Sequence, residues 1–207
     1  MQLQNYYYWF KNAIPHHVCD DIVRYAKSIQ DEMAVTGGLG NKKLNKKEVQ
    51  DLKKKRDSDI VWLNERWIYN AIHPYIHQAN KDANWNFQWD FSESCQFTKY
   101  KKGQYYDWHC DSWDKPYDSP NTPSHGKQRK LSVTLSLSDD KDYSGGELEF
   151  DMRNLDPDKK ANTHVLKEIR SKGSLVVFPS DVWHRVKPVK RGIRHSLVIW
   201  NLGYPFK

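Results

Sequence analysis

His109 and Asp111 stand two residues apart at the end of an aromatic, strand-like run, Gln104 to Trp108, and His184 lies on a second strand-like run, Trp183 to Val189. Side chains at i and i+2 of a strand project from the same face. With His184 they make two imidazoles and one carboxylate, the donor set that holds non-haem ferrous iron on one side and leaves the opposite positions open to substrate and oxygen. A lone strand histidine is more commonly a hydrogen-bonded core residue, so the neighbouring pattern has to decide. Further along, Arg194 opens the apolar run Arg194 to Leu202, in which Arg194, Ser196, Val198 and Trp200 share one strand face. A buried guanidinium requires an anionic partner. Its planar fork suits a carboxylate, to which the Ser196 hydroxyl can add a hydrogen bond. An internal ion pair and a bound carboxylate ligand both meet that requirement, and the residues alone leave the two open.

These side chains have to be positioned by many short strands. Period-two segments run over Phe87–Phe91, Ser94–Lys101, Gln104–Asp111, Lys130–Leu137, Gly146–Asp151, His164–Glu168, Ser174–Phe178, Trp183–Val189 and Arg194–Leu202, separated by Gly, Pro, Asn and Asp turns. The pattern predicts a sandwich or jelly roll, whose facing sheets bring ligands from distant strands to one cavity. Ahead of it come a short strand at Tyr6–Phe10 and a helix opened by Pro15 and running through Met33, with Val18, Ile22, Val23, Tyr25, Ala26 and Ile29 near helical spacing. Residues 34 to 58 are expected to form a flexible connection. A second helix is expected over Ile60–Ala79, kinked or shortened by Pro74. The expected fold is mainly β with flanking helices: one domain over residues 1–207, in which 1–84 is a helical support packed outside the jelly-roll core of 85–207.

Composition agrees with an enzyme-sized core. A chain of 207 residues can bury a substantial interior, and 14% aromatic content with nine Trp excludes a disordered chain. Charge is concentrated: between Lys42 and Arg56, eight basic residues against Glu48 and Asp51 carry +6 of the net +7. This run is expected to be a solvated loop or short exposed helix; its functional alternative is a guide for an acidic partner or a nucleic-acid backbone, although no aromatic lies within it to stack on bases. Three cysteines, Cys19, Cys95 and Cys110, without metal-ligand spacing fit a reducing compartment. No signal-peptide pattern and no apolar run of membrane-spanning length is present, so a cytoplasmic location and no membrane partner are expected. Ser112–Gln128, with Pro116, Pro120 and Pro123, is long enough for a lid over the site, and Gly37–Ser58 is a second candidate. Trp113, placed in a polar loop, is the aromatic expected to face substrate, whereas Trp108 and Trp183 flank the ligands.

Taken in order, Gln96–Asp111, Ser144–Phe150, Gly173–Ser180, His184–Val189 and Arg194–Ser196 resemble the prolyl-4-hydroxylase-like branch of the 2-oxoglutarate and Fe(II)-dependent oxygenases, over residues 91 to 202. The resemblance implies a double-stranded β-helix core, with His109, Asp111 and His184 as iron ligands. It also implies that Arg194 and Tyr100 hold the distal carboxylate of 2-oxoglutarate, with Ser196 as an additional contact. The implied cofactors are Fe(II), 2-oxoglutarate and O2, with ascorbate sustaining the ferrous state. The implied reaction is hydroxylation of an unactivated C–H with release of succinate and carbon dioxide. Related halogenases lack the carboxylate ligand; Asp111 is present, so hydroxylation is the expected outcome. A prolyl residue of a peptide or protein is the substrate implied, with a free amino acid or other small molecule as the alternative. Collagen-type members carry Lys where this chain has Arg194, which places the resemblance nearer bacterial, viral and oxygen-sensing relatives. The nucleic-acid demethylase branch has a second Arg six residues after the first; Trp200 occupies that position here, so nucleic acid is not the expected partner. The competing class is a non-catalytic basic β-sandwich binding module, against which the complete ligand set and carboxylate clamp weigh.

Overall fold

Leu131, Val133 and Leu135 alternate with Ser132, Thr134 and Ser136 along a strand buried on both faces, and that alternation sets up the layers of the molecule. The computed structural model describes residues 5–29, 32–33, 46–152 and 162–206. Its elements are β1 (Tyr8–Phe10), α1 (His16–Lys27), β2 (Glu32–Met33), α2 (Lys46–Lys55), β3 (Arg56–Asp57), β4 (Asp59–Leu63), α3 (Arg66–Asp82), β5 (Phe91–Ser92), β6 (Cys95–Tyr100) and β7 (Tyr105–His109). They continue with β8 (Gln128–Ser136), β9 (Tyr143–Gly145), β10 (Leu148–Asp151), β11 (Thr163–Val165), β12 (Leu175–Pro179), β13 (His184–Val186), β14 (Val189–Gly192) and β15 (Arg194–Gly203). The larger sheet has the order β1-β12-β8-β15-β6-β4-β2, with β5 added beside β15; the smaller has the order β11-β10-β13-β7-β3, and β14 pairs with β9.

One face of the larger sheet carries Leu131, Val133, Leu135, Leu175, Val177, Leu197 and Ile199. Against it pack Cys19, Ile22 and Ala26 of α1 and Ile68, Ile72, Ile76 and Ala79 of α3, spaced so that one stripe of each helix faces inward. The other face looks onto the smaller sheet, where Tyr100, Val176 and Phe178 meet Leu148, Phe150 and Val186 in a second apolar cluster. The functional side chains lie in this inter-sheet layer, which is the jelly-roll arrangement expected. Among the described residues no helix is long and apolar enough to cross a membrane.

Several local expectations change. The first helix stops at Lys27, not Met33, and the second begins at Arg66 and continues through Pro74 to Asp82. Residues Asp59–Leu63 form β4 instead of the start of that helix, because β6 offers a five-residue antiparallel ladder from Asp59↔Lys99 to Leu63↔Cys95. A short apolar run such as Ile60–Leu63 fits either period, and tertiary pairing decides it. The expected Phe87–Phe91 strand is reduced to Phe91–Ser92. There Asn84 and Asn86 adopt φ of 59° and 53°, and the Asn80 amide binds both Phe87 O and Phe87 N at 2.9 Å, taking the place of a strand neighbour. Trp183–Val189 is not one strand: it divides at Lys187–Pro188 into β13 and β14, which join different sheets. Residues 1–84 supply strands as well as helices, and of the expected flexible segment 34–58, α2 and β3 are regular while 34–45 lie outside the described residues. The second candidate lid, Gly37–Ser58, and Lys42 and Lys43 of the basic run fall partly or wholly in that stretch.

Candidate metal centre

β7 and β13 are antiparallel neighbours in which His109 pairs directly with His184, so the two imidazoles meet with ring centroids 4.2 Å apart. β7 ends at His109. Beyond it, Asp111 N and Ser112 N both donate to Ser180 O at 2.8 and 2.9 Å, tying the chain to the turn after β12. That turn is held in turn by Ser180 N donating to Lys130 O at 3.0 Å and by the Ser132–Ser180 hydroxyl contact at 2.9 Å. Asp111 therefore reaches the site through this bend, not through continued strand alternation. Its carboxylate lies 3.8 Å from His109 Nε2 and 3.6 Å from His184 Nε2, and one donor atom from each of the three residues falls within 4.8 Å of the others.

Each histidine is fixed in one tautomer by a carbonyl, which can only accept. His109 Nδ1 is 2.7 Å from Asp107 O and His184 Nδ1 is 3.0 Å from Val182 O, so both Nδ1 atoms donate and Nε2 is left as the ligand atom of each ring. This is the backbone support that orients metal-ligating imidazoles. Burial, followed by the neighbouring His184, pushes the His109 pKa down to about 3, so the ring is neutral at ordinary pH. Burial of Asp111 opposes its ionisation, but the adjacent His184 and His109, then Arg129 and the Ser132 hydroxyl, outweigh it and hold the carboxyl below its usual value. The neutral His109 ring and the ionised Asp111 carboxylate are in the states that a divalent metal requires of its ligands. Phe178 packs edge-on to His184 at 4.8 Å and Tyr106 lies flat on His109 at 3.5 Å, leaving little freedom to either ring.

Arg194 begins β15 opposite Tyr100 and is 3% exposed. Its Nη1 donates to Ser196 Oγ at 3.1 Å and its guanidinium lies 5.5 Å from the Tyr100 ring; among the described residues it has no ion-pair partner. The internal salt bridge left open by the sequence is thus not the arrangement found. Tyr100 belongs to the same inter-sheet cluster as Phe150 and Phe178, the rings against His184. Gly146, at φ +64°, makes room for this arginine: a Cβ there would lie 3.0 Å from Arg194 Cδ and 2.9 Å from Val189 Cγ2.

The sequence reading missed Arg56, which it placed in a solvated basic run. The side chain is 5% exposed, its Nε donates to Ser58 Oγ at 3.1 Å, and its guanidinium lies 4.6 Å from the centre of the Tyr106 ring that covers His109. Arg56 Nη2 is buried with no hydrogen-bond partner. A signal was present in the chain: Arg56-Asp-Ser58 repeats the spacing of Arg194-His-Ser196, and in both a guanidinium bonds a hydroxyl two residues on in sequence. Arg129 was also missed; it forms a two-point ion pair with Glu93 and stacks 3.8 Å from the Trp200 ring.

The loop after Asp111 has no regular structure and is closed on itself by Tyr117 N to Lys127 O at 2.8 Å and Gly126 N to Tyr117 O at 2.9 Å. The Tyr117 hydroxyl anchors it to Glu93 at 2.9 Å. Trp113 in this loop is half exposed, and Trp108 lies under the Arg185 guanidinium at 4.6 Å. Cys110 turns its Sγ toward Ser112 O at 3.5 Å, and all three cysteines are free thiols.

Residues 95–201 match the family model described as the 2OG-Fe(II) oxygenase superfamily. Among curated relatives, a PKHD-type hydroxylase of Synechococcus sp. (strain CC9902) is 37% identical over 103 residues, covering 49% of this chain and 38% of the relative. One from Pseudoalteromonas atlantica is 34% identical over 107 residues, covering 51% and 41%. The aligned stretch thus spans about two fifths of the length of these relatives. Among solved structures, a Pseudomonas putida prolyl-4-hydroxylase superposes with a TM-score of 0.63 at 19% identity, covering 96% of this chain and 92% of that one. A viral collagen prolyl hydroxylase from Paramecium Bursaria Chlorella virus-1, in its 2OG complex, gives 0.62 at 19% identity and 97% coverage of both. The last two likenesses establish the fold, a β core flanked by helices as in those oxygenases.

Proposed function

The chain belongs to the 2OG-Fe(II) oxygenase superfamily, and from that premise we propose that it is an Fe(II)- and 2-oxoglutarate-dependent dioxygenase of the prolyl-hydroxylase-like type, acting on a peptide or protein. One observation carries the reading. A metal-ready set of two tautomer-fixed imidazoles and a carboxylate shares its inter-sheet layer with a buried guanidinium that lacks an ion-pair partner among the described residues. His109, Asp111 and His184 are the residues that would hold iron, through the two Nε2 atoms and the carboxylate. Bound iron with 2-oxoglutarate and O2 supplies the oxidising chemistry that replaces C–H by C–OH as 2-oxoglutarate becomes succinate and carbon dioxide.

The protein's own contribution is orientation and exclusion of water. Arg194 satisfies its buried charge by binding the distal carboxylate of 2-oxoglutarate, Ser196 holds the guanidinium fork in place, and Tyr100 lines the same pocket and offers its hydroxyl. Tyr106, whose pKa burial raises to about 12, keeps its proton and shields the His109 face. The unpartnered Arg56 Nη2 beside Tyr106 supports a substrate with carbonyl oxygens to donate to, as a peptide backbone has, and Trp113 on the loop after Asp111 supplies an apolar surface for it. A prolyl side chain is the preferred target; ascorbate as reductant and a reducing, cytoplasmic setting for the three free thiols complete the reading. The complete donor set sets aside the non-catalytic basic module.

The test is formation of succinate from 2-oxoglutarate by the iron-loaded protein in the presence of proline-containing peptides, followed by peptide mass. Succinate dependent on Fe(II), lost in Asp111→Ala, together with a one-oxygen gain on a peptide, supports the proposal. No succinate from folded, iron-loaded protein sinks the oxygenase reading. Succinate without peptide oxidation across such a panel redirects the substrate to small molecules.

A further inference from the structure

Lys130 sits at a bulge of β8: Asn201 pairs with Leu131 and Leu202 with Arg129, so Lys130 has no strand partner. The extra residue interrupts the ladder and shifts the side-chain alternation at this point. Arg129 turns to Glu93 and Trp200, and Lys130 turns toward the aromatic segment that follows α3. There it lines a cleft of about 1020 Å³ walled by Trp85, Phe87, Trp89, Tyr204 and Phe206. None of these residues belongs to the metal cluster or to the Arg194, Ser196 and Tyr100 group.

The lysine is 3% exposed and its Nζ is buried with no hydrogen-bond partner. What covers it is the Phe206 ring, whose centre is 3.2 Å from Nζ and which packs edge-on to Phe87 at 4.9 Å while remaining 56% exposed. A ring face attracts an ammonium but replaces only part of the hydration that burial removes. Burial accordingly depresses the lysine pKa. The acidic group on the cleft, Asp90, is engaged by Lys127 at 2.8 Å. A buried cation at the floor of an aromatic cleft, capped by one partly exposed ring, defines its complement: an apolar or aromatic body bearing a single carboxylate. One uncommitted ammonium matches a monoanion better than a phosphate dianion.

We propose that the Lys130 cleft is a second ligand site, separate from the metal centre, that binds an aromatic monocarboxylate by replacing the Phe206 ring over the Lys130 ammonium. A free aryl acid and the C-terminal carboxylate of a peptide ending in an aromatic residue share this chemistry. Calorimetric titration with phenylacetate probes the first and N-acetylphenylalanine the second, each against its neutral amide. The tighter-binding acid identifies the source.

At least one acid should bind saturably, and its amide about tenfold more weakly, as loss of one charge-assisted hydrogen bond implies. Lys130→Met should reduce the acid to the level of its amide, and Phe206→Ala should bind the acid at least as tightly as the parent. Lys130→Gln serves as a second variant, and far-UV circular dichroism melts confirm that each is folded. Saturable binding of neither acid, equal binding of acid and amide, or full acid affinity in either folded Lys130 variant overturns the proposal.

Discussion

Replacing Arg194 by Met separates two quantities that usually move together. The guanidinium is 3% exposed, holds Ser196 Oγ at 3.1 Å and has no ion-pair partner among the described residues. In the ligand-free protein it is a buried charge whose desolvation is poorly offset. Under the proposed function, bound 2-oxoglutarate would give it a carboxylate partner and two charge-assisted hydrogen bonds. Such bonds contribute about 1.5–3 kcal/mol each, so their removal should weaken 2-oxoglutarate binding by about two to four orders of magnitude. Methionine of similar volume removes the unpaired charge, so the ligand-free variant should be as stable as the parent or more so by about 1 kcal/mol. At this chain length that corresponds to a rise in Tm of about 2–4 °C. The assay is anaerobic titration of Fe(II)-loaded protein with 2-oxoglutarate, read by the visible charge-transfer absorption of a chelated keto acid, alongside a melt of the ligand-free protein. Unchanged 2-oxoglutarate affinity in the variant, or a Tm lowered by several degrees, would refute the reasoning. The second result would mean that the fold already satisfies the guanidinium.

Asp111→Ala should abolish the same absorption and Fe(II) retention on gel filtration while leaving the far-UV circular dichroism unchanged. In metal-free protein, His109 is held at about 3 and His195, through burial and then Lys27 and Lys99, at about 4, whereas the unfolded chain takes up these protons below about pH 6.5. The unfolded state then binds more protons, so stability should fall as pH drops from about 6.5 toward 4. A denaturant midpoint that is flat from pH 7 to pH 5 would contradict this. Gly146→Ala forces an L side chain to φ +64° against Val189 and Arg194, so it should destabilise by about 1–2 kcal/mol and raise the KM for 2-oxoglutarate. Arg129→Leu strands Glu93, whose carboxylate also receives the Tyr117 hydroxyl; it should cost about 3 kcal/mol in urea melts and speed proteolysis within residues 112–127.

What the chain declares by itself is chemistry and period. The types and order of His109, Asp111 and His184 mark a set that could hold a metal, and the structure brings these three together, while Arg194, Tyr100 and Ser196 stand as the proposed carboxylate contacts. Alternation along β6, β8, β12 and β15 announces sheets buried on both faces, because each strand's i and i+2 residues face the same layer. α3 is legible for a related reason, since Ile68, Ile72 and Ile76 repeat at four-residue spacing on one face. What the chain alone leaves undetermined are matters of pairing. Asp59–Leu63 is a strand only because β6 lies beside it, and the stretch from Trp183 divides where two different sheets compete for it. Arg56 looks solvated in a lysine run until β3 pairs with β7 and carries it onto Tyr106. The site's protonation was equally hidden. The carbonyls of Asp107 and Val182 set the two tautomers, and Ser180 holds Asp111 after its strand has ended. Sequence carries identity and local period, whereas register, burial and the orientation of a hydrogen bond arise only when distant segments meet.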